Sequence, residues 1–198
     1  MSLRSDDTTA PSPRRATIRE TVPRDGFLVG ELCQAGFTSY FTYPVYEPRT
    51  YVSEGFMGTL GFGFPTALGV KAAQPDRAVV SITGDGGFMF GLQELATAAE
   101  HRLALVTVLF NNSSYGNVRR DFRNVYKSEA VTADYRNPDF QALASAFGVA
   151  SAKVASPEEL RPVLAEALAR LAPTLIEVTV DPDSEVTPWT FIHTKSAL

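Results

Sequence analysis

A chain of 198 residues, 44% hydrophobic and 20% charged, is long enough for one domain with a sizeable core and has a soluble globular profile. Its net charge of −4, with Lys and Arg scattered apart from the surface pair Arg119-Arg120, gives no reason to expect nucleic acid. No apolar run approaches the ~20 residues of a membrane span. No secretory leader is visible, and the lone cysteine, Cys33, forms no internal disulfide, so a reducing cytoplasm is the expected location.

In chain order, residues 1–20 are polar, carry Pro11 and Pro13, and read as a disordered linker whose Met-Ser-Leu start resembles a cloning remnant. The domain proper is expected over 21–182. Segments 26–32 and 39–43 are short and rich in aliphatic or aromatic residues. Residues 64–73 have helical spacing. The β-branched run 78–83 is followed by a strong helix former at 92–102 and a second β-branched run at 105–110. Segment 138–148 opens with Pro and closes with Gly, the usual helix punctuation. Segment 156–171 has Ser156 and Glu159 spaced as a capping box, with Pro162 placed to bend it. A last strand is expected at 174–180. The tail, 183–198, carries Trp189, Phe191 and Ile192 without a clear period and reads as irregular packing or a contact with another chain. Strands alternating with helices predict an α/β fold, a parallel sheet with helices on both faces.

In such a sheet, ligands bind beyond the carboxyl ends of the strands. Strand 78–83 runs into Gly84-Asp85-Gly86-Gly87, and strand 105–110 into Asn111-Asn112-Ser113-Ser114. The 24 residues between Gly86 and Asn111 supply one helix and one strand, a single right-handed crossover, so Asp85 and Asn112 meet at one edge. Glycine N–H groups cradle anions, and a carboxylate among them repels an anion unless a cation lies between. One carboxylate oxygen, one amide oxygen and a nearby carbonyl form a magnesium or calcium arrangement, with a diphosphate as the expected anion.

Gly84-Asp85-Gly86, 24 residues, then Asn111-Asn112 resembles the signature of thiamine diphosphate enzymes, in particular the pyruvate decarboxylase, acetolactate synthase and benzoylformate decarboxylase superfamily. Segments 58–77, 92–98 and 111–116 match as well, and the likeness extends over most of 21–182. The resemblance implies the thiamine diphosphate-binding fold, with thiamine diphosphate and Mg as cofactors. It makes Asp85, Asn112 and the carbonyl of Ser114 the metal ligands. It gives Gly86 and Gly87, after Gly84, to the diphosphate. Leu60 becomes the bulky residue that bends the cofactor, with the Gly58 carbonyl and the Leu60 N–H on its pyrimidine. Gln34 approaches the phosphates, although the residues around it diverge from the family pattern. Tyr115 reads equally as cofactor wall or core.

The resemblance also exposes a missing part. The glutamate that activates the cofactor lies, in these enzymes, on a pyrimidine-binding domain, and Glu47, Glu54 and Glu94 do not sit in that context. The chain is therefore an excised C-terminal domain or one subunit of a two-chain enzyme, and the linker-like start favours excision. No catalytic residue is expected in it, and the isolated chain is expected to be inactive. The expected partners are a pyrimidine-binding domain of the same or another subunit and a small 2-oxo acid, in a homodimer or homotetramer, with decarboxylation (a lyase) and carboligation (a transferase) both open. An apolar wall at Phe56, Met57, Leu60 and Phe62 is expected to be bare. Plain turn chemistry at Asp85, a dinucleotide fingerprint at 61–67, a nucleotide-diphosphate module without chemistry and a noncatalytic scaffold subunit are the competing readings. His101 reads as decoration of a helix end, His193 as no metal ligand, Cys33 as packing, and the aromatic stretch 39–52 as pocket or loop packing.

Overall fold

The structure is a computed structural model; it describes residues 13–128, 133–183 and 188. Six parallel strands form one sheet in the order β2-β1-β3-β4-β6-β5. They are β1 (Phe27–Val29), β2 (Tyr51–Val52), β3 (Val79–Gly84), β4 (Val106–Asn111), β5 (Ala150–Val154) and β6 (Thr174–Thr179). The helices are α1 (Pro13–Thr21), α2 (Gln34–Thr42), α3 (Gly63–Ala73), α4 (Asp85–Phe88), α5 (Leu95–Glu100), α6 (Gly116–Asn124), α7 (Phe140–Ala146) and α8 (Pro157–Ala169).

Two apolar layers flank the sheet, as expected when both faces are covered. Side chains alternate along β3 and β4, so Val80, Ile82, Val106 and Val108 join one layer with Leu160 and Leu164 of α8. Val79 and Leu109 join the other, with Phe64 of α3, Phe88 of α4 and Phe140 of α7. The chain leaves β1 through α2 on the first face and returns from β2 through α3 on the second. The strand order thus reverses beside β1, and the loops after β1 and β3 part company there. That crevice is where an open α/β sheet binds ligands.

Five elements depart from the sequence expectations. Residues 39–42 are helical, and Tyr43 is the extended residue that ends α2: Cys33, in extended conformation, caps the helix by accepting the Gly36 N–H at Sγ (3.3 Å), and local capping overrides the β-preference of the aromatics. β2, α6 and the edge strand β5 were not anticipated. β5 is short and carries Lys153, which suits an edge more than a core strand. The stretch read as linker contains α1. Its Ile18 is buried with Val22 in the α8 layer, and Arg19 donates to the Tyr43 hydroxyl (2.8 Å) and the Val22 carbonyl (2.6 Å) while lying between the rings of Tyr43 and Tyr46. Burial pushes the Tyr43 hydroxyl up to about 12. α8 is capped by Ser156 Oγ on the Glu159 N–H, while the Glu159 carboxylate reaches the Ala155 N–H, one residue earlier than a capping box requires. The tail residues Trp189, Phe191, Ile192 and His193 lie outside the described residues.

Candidate functional site

A cavity of about 250 Å³ opens at the switch point, walled by the ends of β1, β3 and β4. Gln34, Leu60, Gly84, Asp85, Gly86, Asn112, Ser114 and Tyr115 line it, so four distant segments of sequence converge there. Gly58 and Gly87, also singled out from sequence, do not. Gly58 takes a left-handed φ of 55° after the 3-10 turn Gly55–Met57, and a Cβ there would touch Leu32, itself in the cavity wall, at 3.5 Å. The side of Gly87 that a Cβ would occupy is turned toward the carboxyl group of Glu31, so only its backbone is left for a ligand.

Asp85 is buried, and its carboxylate is held on both oxygens. Oδ1 accepts the Gly86 N–H (3.0 Å); Oδ2 accepts the Ser113 N–H (2.8 Å) and Asn137 Nδ2 (2.7 Å). Burial raises its pKa above the usual aspartate value, and these donors, led by Asn137 and joined by the Tyr135 hydroxyl, oppose the rise. Ser113 makes its bond from a left-handed conformation (φ 53°), uncommon outside glycine. The same turn aims the Ser113 carbonyl at the Tyr135 N–H (3.1 Å). Asn112 Oδ1 accepts the Ser114 N–H (3.0 Å), which closes the loop into a tight Asx turn.

Tyr115 and Tyr135 pack their rings 4.9 Å apart against Gly86. Any Cβ there would lie 2.6 Å from the Tyr115 ring and 2.8 Å from the Tyr135 hydroxyl, so a side chain at this position must push a ring aside. Burial and then the Asp85 charge push the Tyr135 hydroxyl pKa up. Gln34 uses Nε2 on Asn117 Oδ1 (3.1 Å), and Asn117 also lines the cavity. Among the described residues, two buried side-chain oxygens in the cavity wall, Gln34 Oε1 and Ser114 Oγ, have no hydrogen-bond partner. Buried polar atoms left unpaired are costly, so such atoms in a cavity wall call for a polar occupant.

Two functional candidates escape sequence reading. Asn137 sits 52 residues from Asp85, just before Pro138, and nothing local marks it. Glu31, fully buried behind the cavity, accepts from the Gly61 N–H and the Thr83 hydroxyl. Burial raises its pKa, against the pull of Thr83 and of the Gly61, Gly63 and Phe62 N–H groups. The one available signal was its place directly after an apolar strand, between Gly30 and Leu32. Phe56 and Met57 are exposed, whereas Leu60 and Phe62 are half-buried, so the bare apolar surface is smaller than expected.

The chain belongs to the family described as thiamine pyrophosphate enzyme, C-terminal TPP binding domain, whose model matches residues 33–178. It is 40% identical over 138 residues to a probable acetolactate synthase large subunit of Methanococcus aeolicus, covering 69% of this chain and 23% of that protein. It is 34% identical over 176 residues to the acetolactate synthase isozyme 3 large subunit of Escherichia coli (strain K12), covering 87% and 31%. The structure of a Rhodococcus jostii RHA1 thiamine diphosphate-dependent 4-hydroxybenzoylformate decarboxylase superposes with a TM-score of 0.79 at 31% identity, over 91% of this chain and 34% of that one. The chain thus spans about a quarter to a third of the length of these relatives.

Proposed function

We propose that the chain is the diphosphate- and Mg²⁺-binding domain of a thiamine diphosphate-dependent 2-oxo acid decarboxylase or carboligase of the acetolactate synthase type. The observation that carries this reading is the convergence of Asp85, Asn112 and Ser114 on one cavity whose wall holds two unpaired buried oxygens. Among the described residues no cluster of three His, Cys, Asp or Glu side chains exists, so a cation here is held by one carboxylate and neutral oxygens. That donor set suits a hard ion such as Mg²⁺, which keeps waters and phosphate oxygens as its remaining ligands.

In this reading Asp85, the Asn112 side chain and the Ser114 carbonyl hold the metal. Gln34, Gly84, Gly86 and Gly87 form the diphosphate end, and Gly58, Leu60 and Tyr115 the ring end. When bound, thiamine diphosphate supplies an electron sink for the electron pair that carbon dioxide leaves behind. The chain's own residues hold and orient it. Gly86, with no side chain, lets Tyr115 and Tyr135 close against the loop. The glutamate that activates the cofactor is supplied by a pyrimidine-binding domain of the same or another subunit, so the active unit is a homodimer or homotetramer in the cytoplasm. Phe56 and Met57, exposed at the start of the Gly58–Leu60 loop, fit a contact with that domain.

Calorimetric titration with thiamine diphosphate, with and without Mg²⁺, tests the reading. The parent binds only with Mg²⁺. Asp85→Ala weakens Mg²⁺-dependent binding by more than the ~10–100-fold typical of losing an outer partner of a ligand. Equal binding by parent and variant, or equal preference for ADP, defeats the reading.

A further inference from the structure

We infer that Asn137 is a positioning residue for the metal end of this site: it fixes the Asp85 carboxylate from behind, so that one of its oxygens is aimed at the cation. The inference rests on the reading of Asp85 as a metal ligand.

A primary amide carries two N–H donors on its nitrogen. Asn137 has a partner for each: Nδ2 lies 2.7 Å from Asp85 Oδ2 and 2.8 Å from Asn111 Oδ1. Asn111, at the end of β4, in turn donates through its own Nδ2 to Glu177 Oε1 of β6 (2.8 Å). Glu177 is buried and also receives Gln141 of α7 (3.0 Å) and Lys153 of β5 (3.0 Å). One hydrogen-bonded line therefore ties Asp85, after β3, to the ends of β4, β6 and β5, and Asn137 is the link that reaches Asp85.

The arm bearing Asn137 is itself fixed. Residues 133–135 lie antiparallel to 113–115, with Tyr115 N–H on the Ala133 carbonyl (2.8 Å) and Tyr135 N–H on the Ser113 carbonyl (3.1 Å). Pro138 restricts Asn137 to extended backbone. Asp139 then caps α7 on the Gln141 and Ala142 N–H groups. The buried Phe140 packs edge-on against Phe88 at 6.0 Å, and Phe88 closes the short helix that begins at Asp85. Asp85 and Asn137 thus meet at the head of two elements already locked together by their aromatic rings.

This geometry decides how Asp85 presents itself. Oδ2 accepts from both Ser113 and Asn137, which turns the carboxylate's remaining acceptor capacity to Oδ1. Without Asn137 the carboxylate keeps its charge and loses its direction. An outer partner of this kind typically changes metal affinity 10–100-fold.

The test is a Mg²⁺ titration of thiamine diphosphate binding, by calorimetry, in the parent, Asn137→Ala and Asn137→Leu, with melting temperatures alongside. The leucine variant keeps nearly the same shape and volume, removes both donors and adds no charge beside the cation, which guards against a mere packing defect. The expected result is a Mg²⁺ half-saturation raised about 10-fold or more in both variants. Cofactor affinity should return to the parent value at saturating Mg²⁺, and the melting temperature should fall by only a few degrees. Unchanged half-saturation in both variants, with Mg²⁺-dependent binding intact in the parent, overturns the inference and leaves the reading of the site standing. Weaker cofactor binding at every Mg²⁺ concentration, with a large loss of melting temperature, also overturns it, because that is general damage to the fold. A parent that binds without Mg²⁺ removes the reading and the inference together.

Discussion

Glu31 and Asp85 are two buried carboxyl groups at the ends of adjacent parallel strands, β1 and β3, and they serve opposite ends. Glu31 points inward. Its oxygens take the Gly61 N–H and the Thr83 hydroxyl, and Gly63 and Gly87 leave it room, a Cβ at either coming within 2.8 Å of it. Asp85 points at the cavity, and its donors come from loop and arm. Burial raises both pKa values. The difference lies in what water can replace. Around Asp85 the cavity admits a substitute for a lost partner; around Glu31 nothing does. A carboxyl sealed in this way acts as a brace for the Leu60–Gly61 loop, whereas one beside a cavity is available to a ligand.

The largest expected effect breaks the comparison directly. Glu31→Ala leaves a void and an unpaired Gly61 N–H, which costs about 3 kcal/mol, or roughly 6–12 °C of melting temperature. Asp85→Ala should lose under half as much, since cavity water takes over its donors. Calorimetric melting of the two variants decides; equal losses would mean that both carboxyls are braces.

A smaller effect sharpens it. Gly87→Ala drives a methyl to 2.6 Å from Glu31 Oε1, a group held by its own hydrogen bonds, and should cost about 1–3 kcal/mol. Gly86→Ala meets the Tyr115 ring equally closely, but that ring borders the cavity and is able to swing aside. It should therefore cost less stability and more thiamine diphosphate affinity. Urea denaturation and a binding isotherm on each variant read the two quantities separately.

The smallest effect is one of pH. Burial raises the Glu31 pKa above 4.5, so the folded chain holds that proton more tightly than the unfolded chain. The stability this contributes is complete below pH 4.5 and is lost as the pH rises through the folded-state value. Glu31→Gln keeps an acceptor for Gly61 and does not titrate. The parent's advantage over this variant should therefore be largest in acid and shrink toward neutral pH. An advantage that grows with pH would show that Glu31 is ionised in the fold and held as a charge.

What the sequence disclosed follows the same division. Asp85 and Asn112 were legible because each directly follows a β-branched run, and the crossover between them has a length that only one helix and one strand can fill. Gln34 was legible by resemblance alone, and the helix it opens was not, because Cys33 capping is invisible beside the β-forming aromatics at 39–43. Glu31 stayed hidden because a glutamate between Gly30 and Leu32 reads as a turn residue until Thr83 and Gly61 are brought to it. Asn137 stayed hidden because its partners, Asp85 and Asn111, come from two other strand ends. Local pattern marks the residues that end strands. Their supports come from distant chain, and only the assembled topology reveals them.

β6 lies between β4 and β5, although β5 precedes it in the chain. During synthesis β5 therefore emerges before the only neighbour it pairs with among the described strands. The half-sheet of β2, β1, β3 and β4 is able to assemble first, with the outer side of β4 waiting open. Thr174–Thr179 then fills that gap and brings Ala150–Val154 in beside it in one event. A ribosome that stops short of Thr174 releases a chain missing two strands rather than one, with Asn111 at the open edge and Glu177 not yet made.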